Sequence, residues 1–340
     1  MGIKYADVIV DLQYGDTGKG KVAHCLANFD DYDIVLRYNG GSNAGHTVYH
    51  NGVKIVTHQV PIGVLKGIPS IIGPGCVVNV PKLREEVQML NDAGIDTKNL
   101  LKIDKRAHVV THDHIEEDST DEKIGTTRQG IGPTYRDKYG RTGTRIETYQ
   151  SMFTNDAFTI IDIYDAWFVN RHPYRILCEG AQGFHLDIDW GKYPYVTSSH
   201  CTVGSVCLNG IPPHNIRKII GVMKAYETYV GNLTTYTNEN DPTLQAIQRV
   251  GNEFGATTGR PRKVNWLNLD NVLMAMNVNG VTDLIINKAD VLQEVDAFGL
   301  VHNDTLNKFT TFDLFKSYVD SVLGEQLRTQ ITWSFSPNSI

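Results

Sequence analysis

The sequence predicts an α/β protein built on a large, mostly parallel central sheet covered by helices. Short apolar runs recur along the chain and alternate with helical stretches, the pattern of a sheet buried on both faces. A glycine-rich, lysine-bearing segment, Tyr14 to Lys21, follows the first apolar run and precedes a helix-compatible one, the setting of a P-loop-like phosphate cradle. At 340 residues, 41% apolar and 21% charged, the chain can bury a large core and has an ordinary globular composition.

In chain order, Val8-Ile9-Val10 reads as the first strand, Val22 to Ala27 as a helix and Ile34 to Tyr38 as a second strand. Val48 to Val60 reads as a hairpin around Asn51-Gly52, a strong turn dipeptide. Further strands are expected at Ser70-Ile71-Ile72, Ile176-Leu177-Cys178, Ile219 to Val222 and Leu284-Ile285-Ile286. Helices are expected at Pro81 to Ala93, Tyr149 to Val169, Leu267 to Asn279 and Phe312 to Leu323. Ile124 to Arg145 is long, polar and glycine-rich, and reads as a functional loop. With no repeat, low-complexity tract or linker, residues 1–340 read as one domain.

The bulk properties exclude some classes. A net charge of −6 argues against general nucleic-acid or membrane binding, and no apolar stretch is long enough to span a bilayer or resembles a signal peptide. Five scattered cysteines suit a reduced, cytoplasmic chain (host cytoplasm if viral) without a disulfide framework. Cys201 and Cys207 lack a second pair for zinc, and His112-Asp113-His114 reads as a solvated helix start. Trp190, Tyr193 and Tyr195 read as packing residues.

The chemistry begins in the cradle. Gly15 to Lys21 fits the G-x-x-x-x-G-K spacing, whose glycines let backbone N–H groups approach an anion. Val22 stands where a P-loop has the Ser or Thr that holds Mg²⁺, and a carboxylate, Asp16, lies inside the loop instead. A second segment, Asn39 to Thr47, packs small residues around His46 after the strand Ile34 to Tyr38. It too brings backbone close to a ligand, beside a proton-transfer group.

Together these segments resemble the adenylosuccinate synthetase family, and the resemblance runs along most of the chain. Ile124-Gly125-Thr126-Thr127 and Gly130-Ile131-Gly132-Pro133 match the family's central loop. Glu179 to Gly183 and Tyr193 to Ser199 match its nucleotide site, and Gly255 to Arg260 its aspartate loop. Asn287-Lys288-Ala289-Asp290 falls where the family recognises the base of the phosphate donor. The chain is shorter than typical bacterial or eukaryotic members, largely between Arg145 and Glu179, and is similar in this to compact archaeal and phage forms.

The resemblance implies a carbon–nitrogen ligase that phosphorylates O6 of a purine nucleotide and then displaces phosphate with the amine of L-aspartate. It implies Asp16 as the base that removes the N1 proton and as a ligand of Mg²⁺, with the Gly45 carbonyl as a second ligand. It implies His46 as the acid that stabilises charge on O6 and the γ-phosphate, and Gln182 as a catalytic contact to the purine. Gly15, Thr17, Gly18, Lys19, Gly20 and Lys21 would hold the triphosphate and Asn287, Lys288 and Asp290 its base; Lys19 is read equally as solvated surface. Asn43, Thr127 and Thr197 would bind the substrate 5′-phosphate and Val230 the same nucleotide. Arg141 would reach the neighbouring subunit's phosphate site, implying a homodimer. Thr258, Arg260 and Arg262 would hold the aspartate carboxylates, which suit the planar fork of arginine. Pro261 stands where the family has a further arginine.

The sequence departs from the family around the acceptor nucleotide. Thr17 replaces a cradle glutamate, Tyr229 replaces an arginine, and Asn232-Leu233-Thr234-Thr235 follows Gly231. This pattern resembles the phage branch, which uses dGMP and makes 2-amino-2′-deoxyadenylosuccinate. On that reading Thr17 frees volume beside the base and keeps an acceptor oxygen for the guanine 2-amino group, whose burial unpaired would cost about 1–3 kcal/mol. The expected substrates are dGMP (or IMP), L-aspartate and ATP (or GTP). Asn287 to Asp290 looks like a guanine reader, whereas Ser334-Phe335-Ser336-Pro337, in place of the family's Ser-Thr-Gly-Pro, leans to ATP. The alternative is an ordinary synthetase using IMP and GTP in AMP biosynthesis. A nucleotide kinase and a catalytically dead sensor are further alternatives. The aspartate loop and Val22 speak against the first; Asp16, His46 and Gln182 speak against the second.

Overall fold

A computed structural model describes the chain except residues 1, 29, 154–155, 171, 234–239, 256–258 and 326–330. Among the described residues, nine strands form one sheet in which every neighbouring pair is parallel. Across the sheet they run Ile331–Trp333, Asp283–Asn287, Ile216–Lys224, Ile3–Asp11, Tyr174–Glu179, Ile34–Arg37, Ser70–Ile72, Leu101–Asp104 and Thr159–Ile161. The first strand of the chain is thus central, with partners far away in sequence on both sides.

The near-continuous apolar runs follow from burial on both faces. Along Ile3–Asp11, Val8 and Val10 point into one core and Ile9 into the other. Ile34, Val35 and Leu36 alternate in the same way, as do Leu284, Ile285 and Ile286. A one-residue slip of any strand would exchange these faces.

Local signals set the helices. Asn79 caps Val80–Asp92 by accepting from Lys82 N at 3.1 Å, with proline in the first turn. Thr111 and His114 form a capping box at the start of His112–Ser119. That assigns the His112-Asp113-His114 spacing: His112 is exposed as expected, but His114 is buried, with Nε2 3.1 Å from Asp137 Oδ2. The hairpin is as expected, His46–His50 paired with Val53–Thr57 through Asn51 and Gly52, both at positive φ.

Three expectations fail. Tyr149 to Val169 is not one helix: a 3₁₀ stretch, Ile146–Phe153, gives way to the edge strand Thr159–Ile161 and a π-type turn, Asp165–Val169. The β-branched run Thr159-Ile160-Ile161 finds a strand partner in Leu101–Asp104, and Asp104 Oδ2 accepts from Ile163 N at 2.8 Å just beyond it. Ile124 to Arg145 is not all loop, because Ile131–Gly140 is helical, started by Gly130 at φ 73°. Of the expected packing residues, Tyr193 stands largely in solvent, whereas Trp190 is half exposed with its ring 6.1 Å from that of Phe184 and Tyr195 is partly buried.

Candidate active site

A cavity of about 1350 Å³ opens at the carboxyl ends of the central strands, the usual place for ligands in a parallel sheet. The last residue of each of five adjacent strands is polar and buried: Asn287, Lys224, Asp11, Glu179 and Arg37, in their order across the sheet. Each supports a different part of the site.

Asp11 organises the cradle. Its Oδ1 accepts from Gln13 N at 2.8 Å and Gly15 N at 3.2 Å, and its Oδ2 accepts from Lys19 Nζ at 2.8 Å and from the Thr17 hydroxyl. Asn287 holds the other side by donating to Thr17 O at 2.7 Å. Gly18, at φ 94°, admits this contact, since a Cβ there would lie 2.8 Å from the Asn287 amide nitrogen. Gly20 lets the cradle helix Lys19–Leu26 close on His46, whose Cβ would be 2.7 Å from any Cβ at position 20.

Glu179 and Arg37 hold the histidine. Arg37 Nη1 lies 2.9 Å from Glu179 Oε1 and 3.0 Å from His46 Nδ1, while Glu179 Oε2 accepts from Ile62 N at 3.0 Å. Burial, reinforced by the Arg37 charge, pushes His46 down to about 4, so its imidazole is neutral at pH 7. Burial alone would raise Glu179, but His46 and Arg37 outweigh it and hold the carboxylate below its usual range.

Lys224 holds the far side through Glu253. Its Nζ lies 2.9 Å from both Glu253 carboxylate oxygens and donates to Thr228 Oγ1 at 2.9 Å. Arg262 joins them, with Nη1 2.7 Å from Glu253 Oε2 and Nε 2.8 Å from Asp16 Oδ2. Burial would raise Glu253, but Lys224 and then Arg262 overcome it and bring the carboxyl down to about 2.

The cavity gathers almost every residue marked in the sequence. Gly15, Asp16, Thr17, Gly18, Lys19, Gly20 and Lys21 line it, as do Asn43, Gly45, His46, Thr127, Gln182, Thr197 and Val230. Arg260, Arg262, Asn287, Lys288 and Asp290 complete the wall. Asp16, Gln182 and Lys288 all adopt left-handed backbone at φ 56°, 57° and 67°, a strain that concentrates at functional sites. The Gln182 Oε1 and Asn287 Oδ1 atoms are buried without a hydrogen-bond partner, so both remain available to a ligand. Arg141 is exposed and lies outside the lining, and Thr258 lies outside the described residues.

The structure corrects one reading. Lys19 lines the cavity but is not solvated: it is 5% exposed and tied to Asp11 and to the Gln182 carbonyl. The Thr17 hydroxyl donates to Asp11, which commits its proton and leaves its oxygen only as an acceptor. Lys21 instead meets the C-terminal segment, 2.6 Å from Ser334 Oγ and 2.9 Å from Ser336 O, and burial pushes it down to about 8. Sequence reasoning missed Asp11, Arg37, Lys224 and Glu253. For the first three the signal was present: a charged residue closing an apolar strand run, as in Val8-Ile9-Val10-Asp11. Glu253 carried no such signal.

One further acidic group lies elsewhere. Asp187, Asp189 and His200 bring ligand atoms together, but Asp187 Oδ1 is engaged by the backbone N–H groups of Asp189 and Trp190 at 2.9 and 3.2 Å.

The Adenylosuccinate synthetase family model matches residues 8–172 and 167–307. The chain belongs to the adenylosuccinate synthetase family. It is therefore a carbon–nitrogen ligase of purine nucleotide biosynthesis. The adenylosuccinate synthetase of Chlorobium phaeovibrioides is 38% identical over 356 residues, 91% of this chain and 82% of its own length. That of Bacillus cereus is 37% identical over 335 residues, 84% of this chain and 77% of its own. Among solved structures, the fully ligated adenylosuccinate synthetase of Plasmodium falciparum superposes with a TM-score of 0.87 at 27% identity, covering 98% of both chains. The succinoaminodeoxyadenylate synthetase of cyanophage S-2L, bound to dGMP and dATP, shares the adenylosuccinate synthetase fold at a TM-score of 0.78 and 23% identity. It covers 98% of this chain and 93% of its own.

Proposed function

We propose that this family member joins L-aspartate to C6 of dGMP in the cytoplasm, driven by a nucleoside triphosphate, giving 2-amino-2′-deoxy-N6-succinyladenylate for diaminopurine DNA. The observation that carries the ligase chemistry is the convergence of Asp16, His46, Gln182, the phosphate cradle and two arginines on one cavity. Asp16 takes the N1 proton, and O6 attacks the γ-phosphorus as the bond to the β-bridging oxygen breaks. Neutral His46 donates a hydrogen bond where charge develops, held in place by Arg37 and Glu179. The aspartate amine then adds at C6 and phosphate departs. Gln182 Oε1, buried and without a partner, is suited to accept from the purine.

The donor set fits Mg²⁺. The Asp16 side chain is 38% exposed and Gly45 lines the same cavity, so the Asp16 carboxylate and the Gly45 carbonyl would supply oxygen ligands to a hard cation. Bound there with the triphosphate, Mg²⁺ supplies neutralisation of phosphate charge. The donor base would meet Asn287 and Asp290, with ATP favoured over GTP. Arg141, exposed and clear of its own cavity, would serve the site of a second copy.

The choice of dGMP rests on Tyr229. It is 3% exposed, packs edge-on against Tyr14 at 5.5 Å, and joins Leu233, Leu186 and Tyr195 in an apolar cluster at the cavity wall. The Leu233 backbone engages its hydroxyl. A ribose 2′-OH against this wall would lose the partner that an arginine could offer.

The second reading is IMP with GTP in AMP biosynthesis, favoured by the 37–38% identity to adenylosuccinate synthetases. One experiment separates the readings: aspartate-dependent phosphate release with IMP, dIMP, GMP and dGMP, each with ATP and with GTP. Highest kcat/KM for dGMP supports the proposal; efficient turnover of IMP with dGMP ignored overturns it.

A further inference from the structure

Arg262 stands between two carboxylates of unlike surroundings. Glu253, at one end, is fully buried and also accepts from Tyr226 OH at 2.6 Å. Asp16, at the other, opens onto the cavity. Glu253 and Arg262 also close the base of the loop between them. Arg262 N donates to Glu253 O at 2.9 Å, and Gln248 Nε2 donates to Arg262 O at 2.6 Å. The guanidinium is therefore anchored at its Nη1 corner. Its Nε contacts a single oxygen of Asp16, yet Nε and Nη2 form the edge that pairs bidentately with a carboxylate.

We propose that Glu253 is a positioning residue for the condensation: it presents the Nε–Nη2 edge of Arg262 to the cavity, where Asp16 holds that edge until a carboxylate of the incoming amino acid takes it and releases Asp16. The inference rests on the reading of Arg262 as part of the amino-acid site. Its physical basis is the contrast between the two ends. A solvent-facing ion pair is weak and exchangeable, whereas a buried one is costly to break. Arg262 thus keeps Glu253 and trades Asp16 for a better-matched partner. Two carboxylates that compete for one edge must weaken each other's hold, and the coupling is reciprocal.

The test uses succinate, which keeps both carboxylates of aspartate at the same spacing and lacks the amine. Its binding to the full chain, with dGMP present, is measured by calorimetry. Asp16→Ala removes the competitor and should tighten succinate by at least about fivefold, the low end of ordinary site–site coupling. Glu253→Gln should raise KM for aspartate without raising KM for the nucleotide. Because that variant leaves Lys224 buried without a counter-charge, the balanced pair Lys224→Met with Glu253→Gln is measured beside it, its fold checked by thermal unfolding. Unchanged or weaker succinate binding in Asp16→Ala overturns the proposal. So does wild-type affinity in the folded double variant, or no succinate binding to the wild type. Absence of aspartate-dependent phosphate release in the wild type overturns the underlying reading as well, which tells the two failures apart.

Discussion

If Tyr229 reads the sugar, GMP should be a worse acceptor than dGMP by the cost of one unpaired hydroxyl. The wall that would face the 2′-OH consists of the Tyr14, Tyr229 and Tyr195 rings with Leu186, backed by Leu233, and the Tyr229 hydroxyl is already engaged by the Leu233 backbone. Burying a hydroxyl there unpaired costs about 1–3 kcal/mol, or roughly 5- to 150-fold in kcat/KM. Tyr229→Arg returns a donor to this wall and should remove most of the dGMP preference. It also forfeits the edge-on pair with Tyr14, about 0.5–1.5 kcal/mol of stability. Tyr229→Phe keeps the ring and should leave the dGMP-to-GMP ratio unchanged, because the hydroxyl faces backbone and not sugar. The assay is phosphate release at saturating aspartate, with GMP and dGMP as competing acceptors. Equal kcat/KM for the two in the wild type, or a collapsed ratio in Tyr229→Phe, would refute the reasoning.

Other outcomes follow from the same geometry. Asp16→Asn should lower kcat by about 10²–10⁴ while nucleotide binding persists, and near wild-type turnover would contradict its role as base. Arg141→Leu should raise KM for the nucleotide, and mixing it with Asp16→Asn should restore activity by forming hybrid dimers. A fully active monomer in light scattering would exclude that arrangement. Asp290→Asn should spare ATP use and cripple GTP use if Asp290 reads guanine; equal rates with both donors in the wild type would dismiss either reading. Burial pushes His108 and His185 down to about 4. Below about pH 6.5 the unfolded chain takes up protons that the folded chain refuses until about pH 4, so stability falls as pH drops through that window. A urea midpoint no lower at pH 5 than at pH 7 would count against it.

What the sequence determined by itself was local. The apolar runs at Val8 to Val10, Ile34 to Tyr38 and Leu284 to Ile286 became strands because a parallel sheet buries both faces. Asn51-Gly52 set its turn because both residues tolerate positive φ. The glycine spacing marked the cradle because close backbone approach demands it. What only the tertiary structure decided was partnership. Tyr149 to Val169 lost its helix to a strand partner 57 residues away, at Leu101–Asp104, where Lys102 pairs with Thr159. Lys19 and the Thr17 hydroxyl turned inward because Asp11, at the end of the preceding strand, lies within reach of both. Arg262 found Asp16 across 246 positions of sequence. Propensity and spacing act over a turn or a strand, whereas ion pairs and burial are set by strand order, which brings Asn287, Lys224, Asp11, Glu179 and Arg37 into one row from five distant segments.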